Sequence, residues 1–385
     1  MKKVTLFLFI TSLSFVVSAQ KPEKIYGNAH QQKPLSYYQE QSAAWKKVVD
    51  QNPKNAGAWY NYYYANRNMM FNDTIAKKRE ERWELVKKIV NEMEKAIPDS
   101  YEYNICKWQM GNHDQKQIQY LKKAAELGPD RTEHIDYMIN QGELNRNISD
   151  RDTYSIKKFE AGLFSIGIIY YNYNVLVGLE KDAILLTLGD NDTYPIWYLQ
   201  AKGIRKDVHV VNLSLILLDY YREKVFQELG IEKIDHVSDL EKSDFEFFKS
   251  HVVKNVASNM KNYPTYLALT LACEDKYTKN IQENLYLTGL AYVYEKQAID
   301  NVAFLKKNFE YNFAFDYLDK VFYNEISPDM VTMINGNYII PMLTLYDHYK
   351  LAGDNLKCDW IKAKLKLVSK GTENEAEVIK HIQSY

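Results

Sequence analysis

The chain has 385 residues, with 49 Lys and Arg against 50 Asp and Glu, which gives a formal net charge of −1. This length suits two or three domains, and a content of 46% apolar and 26% charged residues excludes a wholly disordered chain. The balanced charge lacks the basic excess of a general nucleic-acid binder, so we expect no nucleic-acid partner. The 32 tyrosines, against 15 Phe and 6 Trp, indicate many rings buried with their hydroxyl groups near a surface.

The N-terminus has the pattern of a secretory signal peptide. Two lysines precede an uncharged, mostly apolar stretch from Val4 to Val17, and Val17-Ser18-Ala19 supplies the small residues of a cleavage site. The stretch is shorter than the roughly 20 residues of a membrane span, and no later segment is as apolar over that length. We expect residues 1–19 to be removed and the mature chain to be exported, periplasmic or extracellular, without a membrane span. An uncleaved N-terminal anchor is the alternative.

The cysteines do not predict a disulfide framework. Cys106, Cys273 and Cys358 are odd in number and far apart in the sequence. None belongs to a CxxC pair or has a His at zinc spacing. We expect buried thiols with at most one bridged pair, and no metal or cofactor.

Residues 20–160 are predicted to form an irregular array of helical repeats. Paired helices around a proline break, as in tetratricopeptide repeats, are predicted at 36–68, 81–110 and 116–141. The breaks at Pro53, Pro98 and Pro129 do not follow the strict 34-residue period of that repeat. Such arrays bury a continuous core and leave a concave surface that binds a partner.

Residues 161–325 have the alternating pattern of an α/β module. Strands are predicted over 182–190, 206–216, 264–272 and 284–295, and helices over 193–203, 217–229 and 239–260. The first strand, helix and second strand make a βαβ unit, which predicts a small, mainly parallel sheet. Residues 326–385 return to a helical pattern. The predicted fold class is therefore α and α/β, with repeats and C-terminal helices flanking the module.

Polar residues follow three of the predicted strands at the points where the strands end. The candidate ligand-binding residues are Asp190, Asn191, Asp192, Thr193, Asn212, Ser214, Glu274 and Asp275. In open parallel sheets, ligands bind beyond the carboxyl ends of the strands, so these side chains predict a carbohydrate or cation site. The alternative is purely architectural: Gly189 makes the turn, and Asp192 or Thr193 caps the following helix.

The sequence argues against two more specific kinds of site at these residues. A calcium loop of the EF-hand type fails because Tyr194 stands at its fifth position and no Gly follows. Asp190-Asn191-Asp192 also matches the DxD element of some glycosyltransferases, but an exported protein does not normally meet nucleotide sugars. Neither of these two patterns therefore predicts a metal site.

Other catalytic signatures are absent from the sequence. No HExxH, GxSxG or GxxxxGK[ST] occurs, and His209 inside the second strand is predicted to be a core residue and not a base. Trp59, Tyr62 and Tyr63 share one helical stripe and are predicted to be core, the alternative being a platform that stacks sugar rings.

One stretch resembles a known family. GDNDTYPIWYLQ at 189–200, followed by GIRKDVHVVNLSL at 203–215, is similar to the soluble C-terminal region of bacterial membrane proteins related to protein O-mannosyltransferases, the domain-of-unknown-function 2723 group. The stretches at 262–272 and 286–294 resemble later strands of that region, so the similarity covers about residues 160–330. The membrane-embedded part that carries the transferase acids in that family has no counterpart here, so no catalytic residue is carried over. The resemblance implies a shared soluble α/β module, and it favours the 190–193 turn as a site.

These observations predict an exported envelope protein that acts as a binding or scaffold module for a glycan or protein partner. They identify no reaction, and a non-catalytic role is favoured. The alternative is a carbohydrate-active enzyme, a hydrolase or a metal-assisted enzyme, that uses carboxylates at the carboxyl ends of the strands, namely Asp190, Asp192 and either Glu274 or Asp275.

Overall fold

The computed structural model describes residues 21–27, 32–111, 114–234, 245–258, 263–272, 275–318 and 325–383. The predicted signal peptide, Cys273 and the candidate Glu274 lie outside these residues. The chain divides into two compact units, one reaching to His134 and one starting at Ile135. Among the helices that the structure describes, none combines the length and the apolar character of a membrane span.

The first unit is helical. Its helices are α1 (Leu35–Gln51), α2 (Ala56–Asn72), α3 (Ala76–Ala96), α4 (Tyr101–Met110) and α5 (Ile118–Leu127). Asn55 caps α2 by accepting a hydrogen bond from the Ala58 N–H, and Ser100 caps α4 in the same way. Helix α2 packs against both α1 and α3, and α4 packs against α5. This unit therefore consists of helices packed on their sequence neighbours, as the proline-broken pattern predicts.

The core of the first unit is unusually aromatic. Trp59, Tyr62 and Tyr63 are 4%, 6% and 0% exposed, which confirms that their stripe is core and not a binding platform. The indole N–H of Trp59 donates to the carbonyl of Pro53 at 2.8 Å, which ties the helix to the preceding turn. Cys106, on α4, is a free and buried thiol. Burial of these rings supplies the apolar area that stabilises the unit.

The second unit contains a five-stranded sheet. Its strands are β1 (Ile184–Thr187), β2 (His209–Asn212), β3 (Thr265–Ala268), β4 (Leu285–Leu287) and β5 (Ala291–Tyr294), in the order β2-β1-β3-β5-β4. β1 lies between β2 and β3 and is parallel to both, whereas β5 is antiparallel to β3 and β4. The predicted fold class, α with α/β, is confirmed, and the sheet is mixed.

Helices cover both faces of this sheet. The remaining helices are α6 (Ile135–Leu144), α7 (Ile148–Glu160), α8 (Ile166–Val177), α9 (Tyr194–Ala201), α10 (Asp219–Leu229), α11 (Phe245–Ser258), α12 (Leu269–Ala272), α13 (Asp275–Thr278), α14 (Asn301–Lys307), α15 (Pro328–Asn335), α16 (Ile339–Leu351), α17 (Asn355–Ser369) and α18 (Glu375–Gln383). Successive β1 residues enter different cores: Leu185 packs with α8, α9 and the C-terminal helices, while Ile184 and Leu186 pack with α10 and α11. Burial on both faces explains the continuous apolar run of β1.

The segment predicted as one strand over 284–295 is a hairpin of β4 and β5. The chain turns at Thr288, whose N–H and hydroxyl both donate to the carbonyl of Ala291, at 3.1 and 3.2 Å. The residues predicted as the end of the third strand, 269–272, form α12 instead. The antiparallel half of the sheet comes from this hairpin.

Candidate functional site

A cavity of about 290 Å³ opens at the carboxyl ends of β1 and β2. It is lined by Asn140 of α6, by Leu188, Gly189 and Asp190 after β1, by Tyr194 and Trp197 of α9, and by Asn212, Ser214 and Leu215 after β2. This is the position at which parallel strands present ligand sites, because two successive strands diverge there to α9 and to the segment after β2. The candidate residues Asp190, Asn212 and Ser214 meet in it.

Asp192 holds the turn together and does not line the cavity. Its side chain is 3% exposed and accepts hydrogen bonds from the N–H groups of Leu188 (3.0 Å) and Gly189 (2.7 Å). The Thr270 hydroxyl donates to the same carboxylate at 2.5 Å. Burial raises the pKa of Asp192, and these hydrogen bonds oppose the rise. The carboxylate is therefore committed to the backbone of its own turn and to the residue after β3.

Thr193 and Asn212 join the ends of β1 and β2. The Thr193 hydroxyl donates to the Gly189 carbonyl at 2.6 Å, lies 2.8 Å from the Thr187 hydroxyl, and accepts from the Asn212 amide at 2.9 Å. Asn212 in turn accepts from the N–H groups of Ser214 and Leu215, at 2.9 and 3.0 Å. Both side chains are buried, and their main hydrogen-bonding groups are engaged inside the protein.

Asp190 differs from Asp192 in both exposure and partners. Its side chain is exposed at the cavity, and within the described residues its carboxylate has neither a hydrogen-bond nor an ion-pair partner. Desolvation by the surrounding protein and the nearby Asp136 carboxylate raise the pKa of Asp190, while Lys158 opposes the rise. Asn191 is exposed too but does not line the cavity; its carbonyl accepts from the Asn172 amide at 2.8 Å.

Two aromatic residues of α9 form part of the cavity wall that the sequence reasoning missed. Trp197 is fully buried, and its indole N–H has no acceptor among the described residues. The Arg151 guanidinium lies 5.5 Å from the centre of its ring. The Lys158 ammonium lies 4.8 Å from the ring centre of Tyr194, and burial raises the pKa of Tyr194 well above its usual value. The i, i+3 spacing of the two rings on a helix that starts at the turn is the signal that could have identified them.

The polar residues behind these rings come from α6 and α7. Lys158 is ion-paired with Asp136 at 2.5 Å, and Arg151 with the fully buried Glu143 at 2.9 Å. The Tyr221 hydroxyl also donates to Glu143, at 2.6 Å. The sequence assigned these two helices to the repeat region, but both lie in the second compact unit. No sequence motif links Asn140 or these charges to the turn, so only tertiary packing brings them together.

The remaining candidates lie elsewhere. Asp275 is exposed at the start of α13 and does not line the cavity, and Glu274 lies outside the described residues. His209 is half-buried and packs edge-on against Tyr263 at 4.9 Å, and desolvation lowers its pKa. Within the described ranges, no three His, Cys, Asp or Glu side chains are grouped so as to hold a metal ion.

One family model matches the chain. It is described as TMEM260-associated domain 2 and covers residues 169–230, which contain β1, the turn, α9 and β2. No significant match is found among curated proteins. No solved structure matches significantly either. The matched segment thus supplies most of the cavity lining, whereas Asn140 comes from outside it.

Proposed function

We propose that this chain is an exported binding protein of the cell envelope, and that the cavity beyond β1 and β2 holds one sugar residue of a glycan. The observation that carries the proposal is the unused hydrogen-bonding capacity in the cavity wall. The Asp190 carboxylate and the Trp197 N–H both lack partners among the described residues, and both belong to the cavity lining. Asp190 is exposed at the cavity, so its carboxylate is free to accept hydrogen bonds from the hydroxyl groups of a bound sugar.

The chemistry of the lining suits a carbohydrate. Asp190, the Asn140 carbonyl and the Ser214 hydroxyl, whose proton goes to the Leu188 carbonyl, accept hydrogen bonds, whereas the Asn140 amide donates them. Sugar hydroxyl groups both donate and accept, so one ring satisfies such a mixed set. The volume of about 290 Å³ lies at the lower end of the range for ligand sites, which favours a single residue over an oligosaccharide.

The resemblance of residues 160–330 to the soluble region of O-mannosyltransferase-related proteins supports the same ligand class. The family match at 169–230 falls inside this stretch and includes the turn. We infer that the module is a glycan-recognising part of such proteins. Export is a part of the proposal and depends on the signal-peptide pattern of residues 1–19.

Glycoside hydrolysis, the alternative, has less support. It needs two carboxylates about 5–10 Å apart across the bond that is cleaved. Of the described residues that line the cavity, only Asp190 carries a carboxylate, and Asp192 is occupied by three hydrogen bonds within the fold. A binding role requires no second acid.

The proposal is tested by thermal unfolding of the mature protein with a panel of monosaccharides and short glycans. A ligand at about 100 times its Kd should add about 2.7 kcal/mol of stability and raise Tm by a few degrees. Asp190→Asn and Asn140→Ala should each reduce the shift, because one removes a charged acceptor and the other removes the amide group from the cavity lining. Glu223→Gln, an exposed acid of α10 outside the cavity lining, is the matched control and should retain the shift.

If the glycans raise the Tm of the wild type and of both cavity variants equally, the cavity is not the binding site. If no glycan of the panel raises the Tm of any of these proteins, the proposal of a glycan ligand is wrong. Export is tested separately by mass spectrometry of the protein secreted from its native host, which should begin at Gln20. Retention of residues 1–19 would support the uncleaved anchor instead.

A further inference from the structure

A second concave surface lies on the opposite, antiparallel side of the sheet from β2. This acidic groove has a volume of about 870 Å³, three times that of the cavity, and is bounded by β4 and β5, by α15 and α16, and by the segment from Gly371 into α18. The size lies near the upper limit for a small-ligand site, so an extended occupant fits it better.

The floor and walls of the groove are largely apolar. Leu287 and Tyr292 come from the sheet, and Leu343 from α16. Met333 and Ile340, on α15 and α16, also line it and are 65% and 63% exposed. Large apolar side chains exposed together in a concavity mark an interaction surface, whereas single ones scattered over a surface do not.

The charged residues of the groove are mainly of one sign. Asp329, Glu373 and Glu377 line it, and no Lys or Arg is among its lining residues. Within the described part of the chain, none of these three carboxylates has a hydrogen-bond or ion-pair partner. His381 also lines the groove, and its Nε2 lies 2.8 Å from the carboxylate of Asp347. The field in the groove is therefore negative, which attracts cations and repels anionic lipid headgroups.

We infer that the acidic groove binds an amphipathic segment of a protein partner, with apolar side chains on one face and Lys or Arg beside them. The apolar face would cover Met333 and Ile340, and the basic side chains would reach Asp329, Glu373 and Glu377. Charge complementarity selects this occupant over an acidic peptide or an anionic membrane. The inference does not depend on the sugar site, because the two sets of lining residues share no member.

The test is fluorescence anisotropy of the mature protein with labelled amphipathic peptides. One peptide carries Leu and Lys in helical spacing, and its counterpart replaces every Lys by Glu. The Lys peptide should bind, more weakly as salt is raised, and the Glu peptide should not. The triple variant Asp329→Asn/Glu373→Gln/Glu377→Gln should weaken binding of the Lys peptide about tenfold, since each exposed pair contributes modestly.

Two further variants separate the apolar contribution from nonspecific effects. Met333→Ser/Ile340→Ser should also weaken binding of the Lys peptide, whereas Leu351→Ser/Leu356→Ser, which removes leucines 90% and 85% exposed outside the groove, should not. The triple groove variant has a charge-matched control, Glu223→Gln/Glu283→Gln/Asp359→Asn. This control neutralises three exposed acids outside the groove lining.

Several results would overturn the inference. Equal binding of the two peptides, or equal weakening by the groove and control variants, would exclude a specific acidic groove. Binding to vesicles of phosphatidylglycerol through Met333 and Ile340 would indicate a membrane surface instead. Sedimentation showing a dimer that Met333→Ser/Ile340→Ser dissociates would make a second copy of this chain the occupant.

Discussion

The cavity beyond β1 and β2 has two layers of polar residues that differ in how much of their hydrogen-bonding capacity the protein itself uses. The inner layer, Asp192, Thr193 and Asn212, is buried and bonded to backbone and side chains of the strand ends. The outer layer is formed by Asp190, which is exposed at the cavity and whose carboxylate has no partner among the described residues. Neighbouring acids of one turn thus have different roles.

The difference shows how a fold positions a site. The inner layer fixes the geometry of the turn, because a buried carboxylate that accepts two backbone N–H groups permits few alternative loop conformations. The outer layer gains its free groups from this rigidity, since the turn keeps Asp190 away from the backbone donors that Asp192 uses. Substitutions in the inner layer should therefore affect stability, and those in the outer layer should affect binding.

The largest effect is expected for Asp192→Ala. The substitution leaves the Leu188 and Gly189 N–H groups and the Thr270 hydroxyl without their acceptor, so we expect a loss of about 3 kcal/mol in the free energy of unfolding. Urea unfolding of the purified protein measures it. Asp300→Ala, which removes an exposed helix cap that accepts from the Ala303 N–H, is the control and should cost about 1 kcal/mol.

If Asp192→Ala and Asp300→Ala lower the free energy of unfolding equally, the inner layer contributes no more than an ordinary helix cap. A loss confined to Asp192→Ala, with the glycan shift retained in the folded fraction, would separate architecture from binding.

The second effect is that of Thr193→Val, which keeps the shape of the side chain but removes its hydroxyl. The Gly189 carbonyl loses a donor and the Asn212 amide loses an acceptor, so we expect a cost of about 1–2 kcal/mol. Thr344→Val, at a half-buried position of α16 whose hydroxyl donates to the Ile340 carbonyl, is the matched control and should cost less than about 0.5 kcal/mol. Urea unfolding of both variants would contradict the two-layer interpretation if the control were the more destabilised.

A third and smaller effect concerns Ser214→Ala, at the boundary between the layers. The exposed Ser214 hydroxyl donates to the Leu188 carbonyl at 3.2 Å, so its loss should cost only a few tenths of a kcal/mol. The same hydroxyl lines the cavity, and sugar affinity should fall severalfold. Isothermal titration together with urea unfolding distinguishes the two effects. A change in stability without a change in affinity would move Ser214 into the inner layer.

The sequence predicted the strands, the position of the site and part of its composition. The apolar runs indicated β1 and β2, and the rule for parallel strand ends identified Asp190, Asn212 and Ser214 as neighbours. The pattern could not distinguish Asp190 from Asp192, because their difference depends on which carboxylate reaches the backbone N–H groups. Asn140 could not be predicted either, since α6 precedes β1 by about 40 residues and reaches the cavity only through packing.

The hairpin of β4 and β5 shows a different limit of prediction from the sequence. The sequence pattern predicts a single strand over 284–295, because apolar and aromatic residues stand on both sides of Thr288-Gly289. In the structure this pair is the turn between two strands. A glycine inside a strand pattern is itself a turn signal, so this error was avoidable. The conversion of 269–272 to α12 has no comparable local signal.

The smallest expected effect is the pH-dependent change in stability caused by Asp190→Asn, and it tests the outer layer. Because the pKa of Asp190 is raised in the folded protein, its ionised form is less favourable there than in the unfolded chain. Asp190→Asn removes that cost, so the variant should be slightly more stable than the wild type at a pH above the raised pKa. The difference should shrink as the pH falls through the raised pKa and vanish well below the ordinary pKa of Asp, where the carboxyl is protonated in both states. Urea unfolding of the variant and the wild type from pH 3 to 7 measures it. A variant less stable than the wild type at pH 7 would show that Asp190, like Asp192, has a structural partner and belongs to the inner layer.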